Sequence, residues 1–431
     1  MHTLSALLSL VLIGAAFLCE GVRLLRSGSF RTALTARLHT EQPLFTQRFW
    51  QARQKWAEPL YFAAIFVLLF GRVFLHESQL YTVTPDWVYG SLYLLFPVSY
   101  LLLTVKIFFC TQYDLRQCVT SAAFFVIILL SCLHYFDSDY FALMGFILAC
   151  KDLDWRRVIA WFAALYAAFA AILITLSFAG VLSVRISGFP QMFLGFENPN
   201  HLARVTFVVF VALLLLLPAQ KRRLAAAVLA LPLLLFNNFA SQSRSVLVAL
   251  GFLLLCTLLW PMLFRLFDLA PIRALIPALP LISAAVSFIP VIFYNPDNAL
   301  WFKINYFSTD RMKYWNLVGK LYSPTLFAQE INYNRGEHPN GLVAVDNAYV
   351  HLGYNGGFLL LAVMLVLVCI LLYRLVSERR YWLLVMVMTW MVNSMFESFL
   401  FCVYANFTIF LLAPVLFLQD FPPDGTPQKC K

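Results

Sequence analysis

The chain has 431 residues, 62% of them hydrophobic and only 12% charged, with a formal net charge of +10. A water-soluble fold of this length could not cover that much apolar surface, which excludes an ordinary soluble globular protein. The positive balance does not mark a nucleic-acid partner, because Lys and Arg sit mainly in short connections between apolar runs, where they set membrane topology.

In chain order, apolar runs fall near 3–19, 58–75, 87–109, 118–134, 137–150, 158–183, 202–219, 224–240, 245–263, 274–294, 348–373, 381–397 and 400–418. Many reach the roughly 17–25 residues that carry a helix across a bilayer. They are continuous rather than alternating, which argues against a β-barrel. The expected fold is all-α: a polytopic transmembrane helical bundle of about 12–13 spans,. No linker or internal repeat divides it, so residues 1–431 read as one membrane domain with a large extracytoplasmic loop at 295–347. The first run lacks a basic leader and a clear small-residue cleavage site, and reads as a membrane helix. Nine scattered cysteines form no CxxC pair, which argues against a metal site and a disulfide framework,.

Basic residues orient the chain. The connection 20–57 carries Arg23, Arg26, Arg31, Arg37, Arg48, Arg53 and Lys55. Lys106/Arg116, Lys151/Arg156/Arg157, Lys221/Arg222/Arg223, Arg265/Arg273 and Arg374/Arg379/Arg380 follow, each two spans after the last. The positive-inside rule puts this face in the cytoplasm, and the connections 76–86, 135–136, 184–201, 237–244, 295–347 and 398–399 outside it.

Within SQSRS, residues 241–245, Arg244 then falls at the outward mouth of a hairpin. An arginine near the apolar region costs about 2–3 kcal/mol unless it snorkels or meets an anion. A snorkelling helix-end residue is the plain reading, and an anion ligand is the sharper one.

The loop 295–347 holds five basic and five acidic residues interleaved with aromatics. A loop so long and so aromatic is functional rather than a disordered tail. STDRMKYWNLVGKLY places Met312, Trp315, Leu317 and Val318 at mixed helical spacing. That predicts a short amphipathic helix at the membrane interface, capped by Ser308, Thr309 or Asp310. Arg311 near its start could hold a phosphate together with the helix N-terminus. Downstream stand Arg335, His338, Asp346, Asn347 and His351. Asp346 reads as the N-cap of the next helix, as a group that orients or deprotonates a hydroxyl, or as both. Elsewhere, ENPNHLAR supplies Glu197, Asn198, Asn200, His201 and Arg204 around a Pro-N1 turn. NSMFESFL puts Asn393 and Glu397 at i, i+4 on one helical face.

In order, NPNHLA, SQSR, DRMKYW and DNAYVHLGYNGG resemble the O-antigen ligase/polymerase superfamily over roughly residues 190–400. The resemblance implies a membrane glycosyltransferase that polymerises undecaprenyl-diphosphate-linked oligosaccharide repeat units into surface polysaccharide, O-antigen or capsule, at the outer face of a cytoplasmic membrane. It implies Arg244 and Arg311 as diphosphate ligands and Asp346 as the group beside the reacting hydroxyl. Arg204, Arg335, His338, Asn347, Asn200 and Glu397 are the further substrate-binding candidates. Aspartate stands at 346 where ligases usually carry histidine, so no histidine base is carried over. Two arginines suffice to meet developing diphosphate charge, and the outward loop has no Asp-x-Asp motif. The expectation is therefore a metal-independent enzyme without a cofactor. Its partners would be membrane lipid, the lipid-linked glycan, a flippase and a chain-length regulator, with no nucleic acid. A ligase transferring finished glycan shares all these signals. A lipid-glycan flippase or transporter would instead place broken, charged helices near the bilayer midplane.

Overall fold

The computed structural model describes residues 53–85, 95–132, 135, 137–186, 190–332 and 344–421. The first apolar run and the basic segment before residue 53 lie outside these residues. Each remaining run carries a helix. In order these are α1 (Ala57–Leu69), α2 (Leu95–Cys110), α3 (Leu115–Ser131), α4 (Ser138–Ala149), α5 (Trp155–Phe178) and α6 (Pro199–Leu216). Then come α7 (Ala219–Phe236), α8 (Arg244–Leu258), α9 (Trp260–Asp268), α10 (Ala270–Leu275), α11 (Leu279–Phe293), α12 (Ala299–Phe307) and α13 (Arg311–Leu321). The last are α14 (Ala348–His351), α15 (Phe358–Ser377), α16 (Tyr381–Ser394) and α17 (Leu412–Phe417). Among the described residues there is no β-strand, and an isolated bridge joins Ser78 and Phe196.

The all-α membrane fold is present. Among the described residues six helices are long and apolar enough to cross a membrane, and a seventh span arises if α8 and α9 count as one, although they bend by 81°. Five further apolar helices are shorter, at 10–17 residues. The run read as one span at 245–263 is thus broken after Leu258. Pro261 at the start of α9 suits a new helix but not the interior of an old one,.

Local chemistry sets the boundaries. Asp114 and Gln117 form a reciprocal capping box on α3,. Asn198 caps α6 with Pro199 at its first position, as the sequence predicts,. Three helices end or begin in π-helical turns, at Phe70–His76, Asn237–Ser241 and Leu352–Gly356. Such turns carry one extra residue and recur at functional sites.

Contacts define two ends of the bundle. At one, Lys106 donates to the Lys151 carbonyl, Arg374 to those of Pro414 and Gln419, and Arg380 to that of Phe421. This basic end carries the Lys and Arg of the short connections. At the other, the π-helical turns, α12, α13, α14 and residues 395–406 meet. The described part of the loop is tied there by main-chain bonds from Phe358 to Thr325, Leu359 to Leu326 and Ala328 to Ser131. Gly357, at φ +86°, permits this, since a Cβ would fall 2.5 Å from the Phe327 carbonyl carbon,.

Candidate functional site

The site is built outward from α13. Its apolar stripe, Met312, Trp315 and Val318, is buried in a small cluster with Val291 of α11. Asn316 donates to the Val291 carbonyl at 2.9 Å, and Gly319 allows the close approach, because a Cβ there would meet Val291 at 2.5 Å. The predicted amphipathic helix exists, but its apolar face packs on the bundle. The predicted cap differs too. Asp310 takes the N-cap position in a left-handed conformation and makes no side-chain cap bond. Asn305 from α12 does that work. Its amide oxygen accepts from the Lys313 amide at 3.0 Å, and its amide nitrogen donates to Asp310 at 2.7 Å. Two consecutive non-glycine residues, Thr309 and Asp310, have positive φ. Each costs on the order of 1 kcal/mol, and the Asn305 bonds hold them.

This tight joint turns Arg311 inward, where it is 8% exposed. Its Nη2 donates to Glu397 Oε1 at 3.0 Å and its Nε to Asp346 Oδ2 at 3.3 Å. Ser245 Oγ donates to the same Glu397 oxygen at 2.6 Å and lies 3.1 Å from Ser243 Oγ. One guanidinium therefore joins two carboxylates, and the Glu397 carboxylate in turn takes a hydroxyl, so that Glu397 meets groups 86 and 152 residues away along the chain. Glu397 does not share a helical face with Asn393, since α16 ends at Ser394 and the chain runs on in turns.

Burial pushes the Glu397 carboxyl up to about 7; Arg311 pulls it down, and the Asp346 charge adds to the rise,. Asp346 is more open, with 36% of its side chain exposed. It is not the cap of α14. Asn347 is, accepting from the Tyr349 and Val350 amides while donating to the Met395 carbonyl at 2.9 Å. Asn347 thus fixes Asp346 and the Glu397 turn to each other. His351, one turn on, is held below the usual imidazole range by burial, against the opposing pull of Asp139 and Asp346.

Arg244 is not in this cluster. It is exposed, and its Nη1 donates to the carbonyls of Tyr306 and Phe307 at 2.9 and 2.6 Å, closing the C-terminus of α12,. Arg244 and Arg311 therefore sit at the two ends of the short joint 306–311 and face different partners. Arg204 is buried in α6 and ion-paired to Glu77. Asn200 is half-buried in the first turn of α6, and among the described residues no hydrogen bond joins it to the Arg311 cluster. Arg335 and His338 lie outside the described residues.

Sequence reasoning missed Arg72, Glu77, Asp137 and Asp139 at the same end, with Arg72 ion-paired to Asp139. A signal was present: Arg72 is a charged residue inside an apolar run, which is costly without a purpose. Among the described residues no three His, Cys, Asp or Glu side chains gather as metal ligands.

Comparison with known proteins adds no relative: no family model, no curated protein and no solved structure matches the chain.

Proposed function

We propose that the protein is a membrane glycosyltransferase that joins lipid-diphosphate-linked oligosaccharide units at the outer membrane–water boundary, lengthening a surface polysaccharide. The supporting observation is the convergence on Arg311. SQSRS contributes Ser245, DRMKYW contributes Arg311, DNAYVH contributes Asp346, and SMFES contributes Glu397. A chance scatter of polar residues would not bring these motifs, 152 residues apart at their extremes, to one Arg311–Glu397 pair.

The chemistry is an in-line exchange. An acceptor hydroxyl attacks the anomeric carbon of the donor sugar. The bond from that carbon to the diphosphate oxygen breaks, and the lipid diphosphate leaves with the electron pair. The acceptor proton passes to Glu397, whose affinity near neutrality suits a general base. Asp346, more exposed and on the same arginine, orients the incoming hydroxyl. Arg311 holds both carboxylates in place. Arg244 lies on the exposed side of the joint, where a diphosphate could exchange with the α12 carbonyls.

The test is surface-polysaccharide length in a deletion strain carrying wild type, Arg244→Ala, Arg311→Ala, Asp346→Ala or Glu397→Gln at matched membrane abundance. The expected result is single repeat units in the deletion and failure of Arg311→Ala and Glu397→Gln to restore long chains. Long polymer accumulating on its lipid carrier would make the protein a ligase. Full complementation by both variants would remove the site.

A further inference from the structure

A second polar group stands beside the Arg311 cluster, and the transfer step leaves it unused. Arg72, in the π-helical end of α1, lies 4.8 Å from the Phe96 ring and 5.3 Å from the Tyr404 ring. Arg204 lies 4.4 Å from the Phe399 ring and 5.8 Å from the Tyr404 ring. Tyr404 is thus in range of two guanidinium groups, each already matched by a carboxylate, Asp139 or Glu77. Asp137 completes the group. It accepts from Asn355 Nδ2 at 3.2 Å and from the Asp139 amide at 2.8 Å.

Buried donors without a protein partner gather at this level. Arg204 is 2% exposed, yet its Nε and Nη1 have no hydrogen-bond partner. Asn393 Nδ2 and Ser394 Oγ are likewise buried and unmatched. They share a level with Arg204. The rings of Phe207 and Trp390 meet at 4.8 Å between α6 and α16. These helices run in opposite directions, so one turn from each ring toward the site end reaches Arg204 on one side and Asn393 and Ser394 on the other. Stranding such donors is unfavourable, which is why folded proteins rarely do it. The neighbouring wall is open: Arg72 and Asp139 keep 21% and 27% of their side chains exposed.

The charges choose the ligand class. Two guanidinium groups face three carboxylates, Glu77, Asp137 and Asp139, so a further anion would enter against the balance. An uncharged ring bearing many hydroxyls matches this balance. Its oxygens accept from the spare N–H groups and donate to the carboxylates, and its C–H face meets Tyr404 and Phe399. The segment from Asp346 to Asn355 runs from one group to the other, with His351 in charge range of both Asp346 and Asp139.

We infer that Arg72, Arg204, Asp137, Asp139 and Tyr404 form a subsite for an uncharged sugar ring, holding the acceptor end of the glycan beside Glu397. This rests on the glycosyl-transfer reading above. The experiment is polymerisation in membrane vesicles at rising concentrations of the host's lipid-linked repeat unit, with wild type, Asp137→Asn, Tyr404→Leu, Arg72→Lys and Glu397→Gln at matched abundance. Asp137→Asn and Tyr404→Leu are expected to raise the half-saturating concentration at least tenfold while the maximal rate falls far less. Glu397→Gln is expected to do the reverse. Neutral methyl glycosides should inhibit at least tenfold more strongly than the methyl glycoside of a uronic acid; Asp137→Asn, which removes one carboxylate, should narrow that gap, and Arg72→Lys, which keeps the charge, should not. If Glu397→Gln is inactive but the half-saturating concentrations of the other variants match wild type, the subsite is wrong and the transfer reading survives. Equal or stronger inhibition by the uronide also overturns it. Full polymerisation by Glu397→Gln removes Glu397 as the base and with it the subsite placed beside it; no polymerisation by wild type removes the transfer reading.

Discussion

The two ends of the bundle treat their cations differently. At the basic end, Lys106, Arg222, Arg374 and Arg380 donate to backbone carbonyls near helix ends and turns. Arg374 and Arg380 also share the Glu378 carboxylate, and Lys151 pairs with Asp152, so the carboxylates here lie on half-buried or exposed connections while the carbonyls anchor the helix ends. At the other end Arg72, Arg204 and Arg311 each meet carboxylates, which outnumber them. Arg244 breaks the pattern, since it lies at the site end but is bound as the basic-end arginines are. Cations on carbonyls hold helices in place and set orientation, whereas cations on carboxylates hold reactive groups at defined positions.

That contrast should fail first at Arg311. Arg311→Met leaves the buried Glu397 carboxylate without its guanidinium, a change worth about 3–5 kcal/mol. The expected outcome is lower thermal stability together with loss of chain elongation, read by melting in detergent and by polysaccharide length. Glu397→Gln keeps the shape and removes the base. Elongation should fall about 10²–10⁴-fold with little change in melting. Wild-type elongation should rise with pH through about 7 as Glu397 ionises, and Glu397→Gln should lose that limb,. Stability runs the other way. The folded carboxyl is raised above its ordinary 4.5, so its contribution is full below that value and is lost as pH rises towards about 7,. A melting temperature that climbed across that window because of this residue would break the assignment.

Smaller effects sharpen the comparison. Lys106→Met at the basic end strands the Lys151 carbonyl and should cost about 1–3 kcal/mol while leaving elongation per folded molecule intact. Arg244→Gln, at the site end but on carbonyls, should loosen α12 and speed proteolysis between residues 295 and 310 more than it lowers the melting temperature. Asn347→Ala removes a helix cap worth about 1 kcal/mol, and should lower elongation somewhat more than stability because Asn347 also ties the Glu397 turn.

Much of this was legible in the sequence. Apolar run lengths located the helices, and the basic connections gathered at one end as their spacing required. The motifs named Arg311, Asp346 and Glu397, which the fold brings together. The sequence could not show which arginine would be buried, because that depends on Gly319 letting α13 approach α11 and on Asn305 bracing two left-handed residues. Nor could it show that Glu397 lies beyond its helix, since NSMFESFL carries no Gly or Pro to end it,. Asp137 and Asp139 fall inside the short run 137–150 as the sequence divides it, and only the fold brings Arg72, from the end of α1, to Asp139.

The three π-helical turns have a consequence for how the molecule tolerates length changes. Each holds one residue more than an α-helix needs, so deleting one residue from 237–241 would convert the turn to regular helix and strengthen its bonding,. The same deletion would swing everything beyond it by about 100° around the helix axis, carrying Ser245 away from Glu397. A one-residue deletion there should yield a sturdier protein that no longer works, whereas a substitution at the same place would merely weaken it.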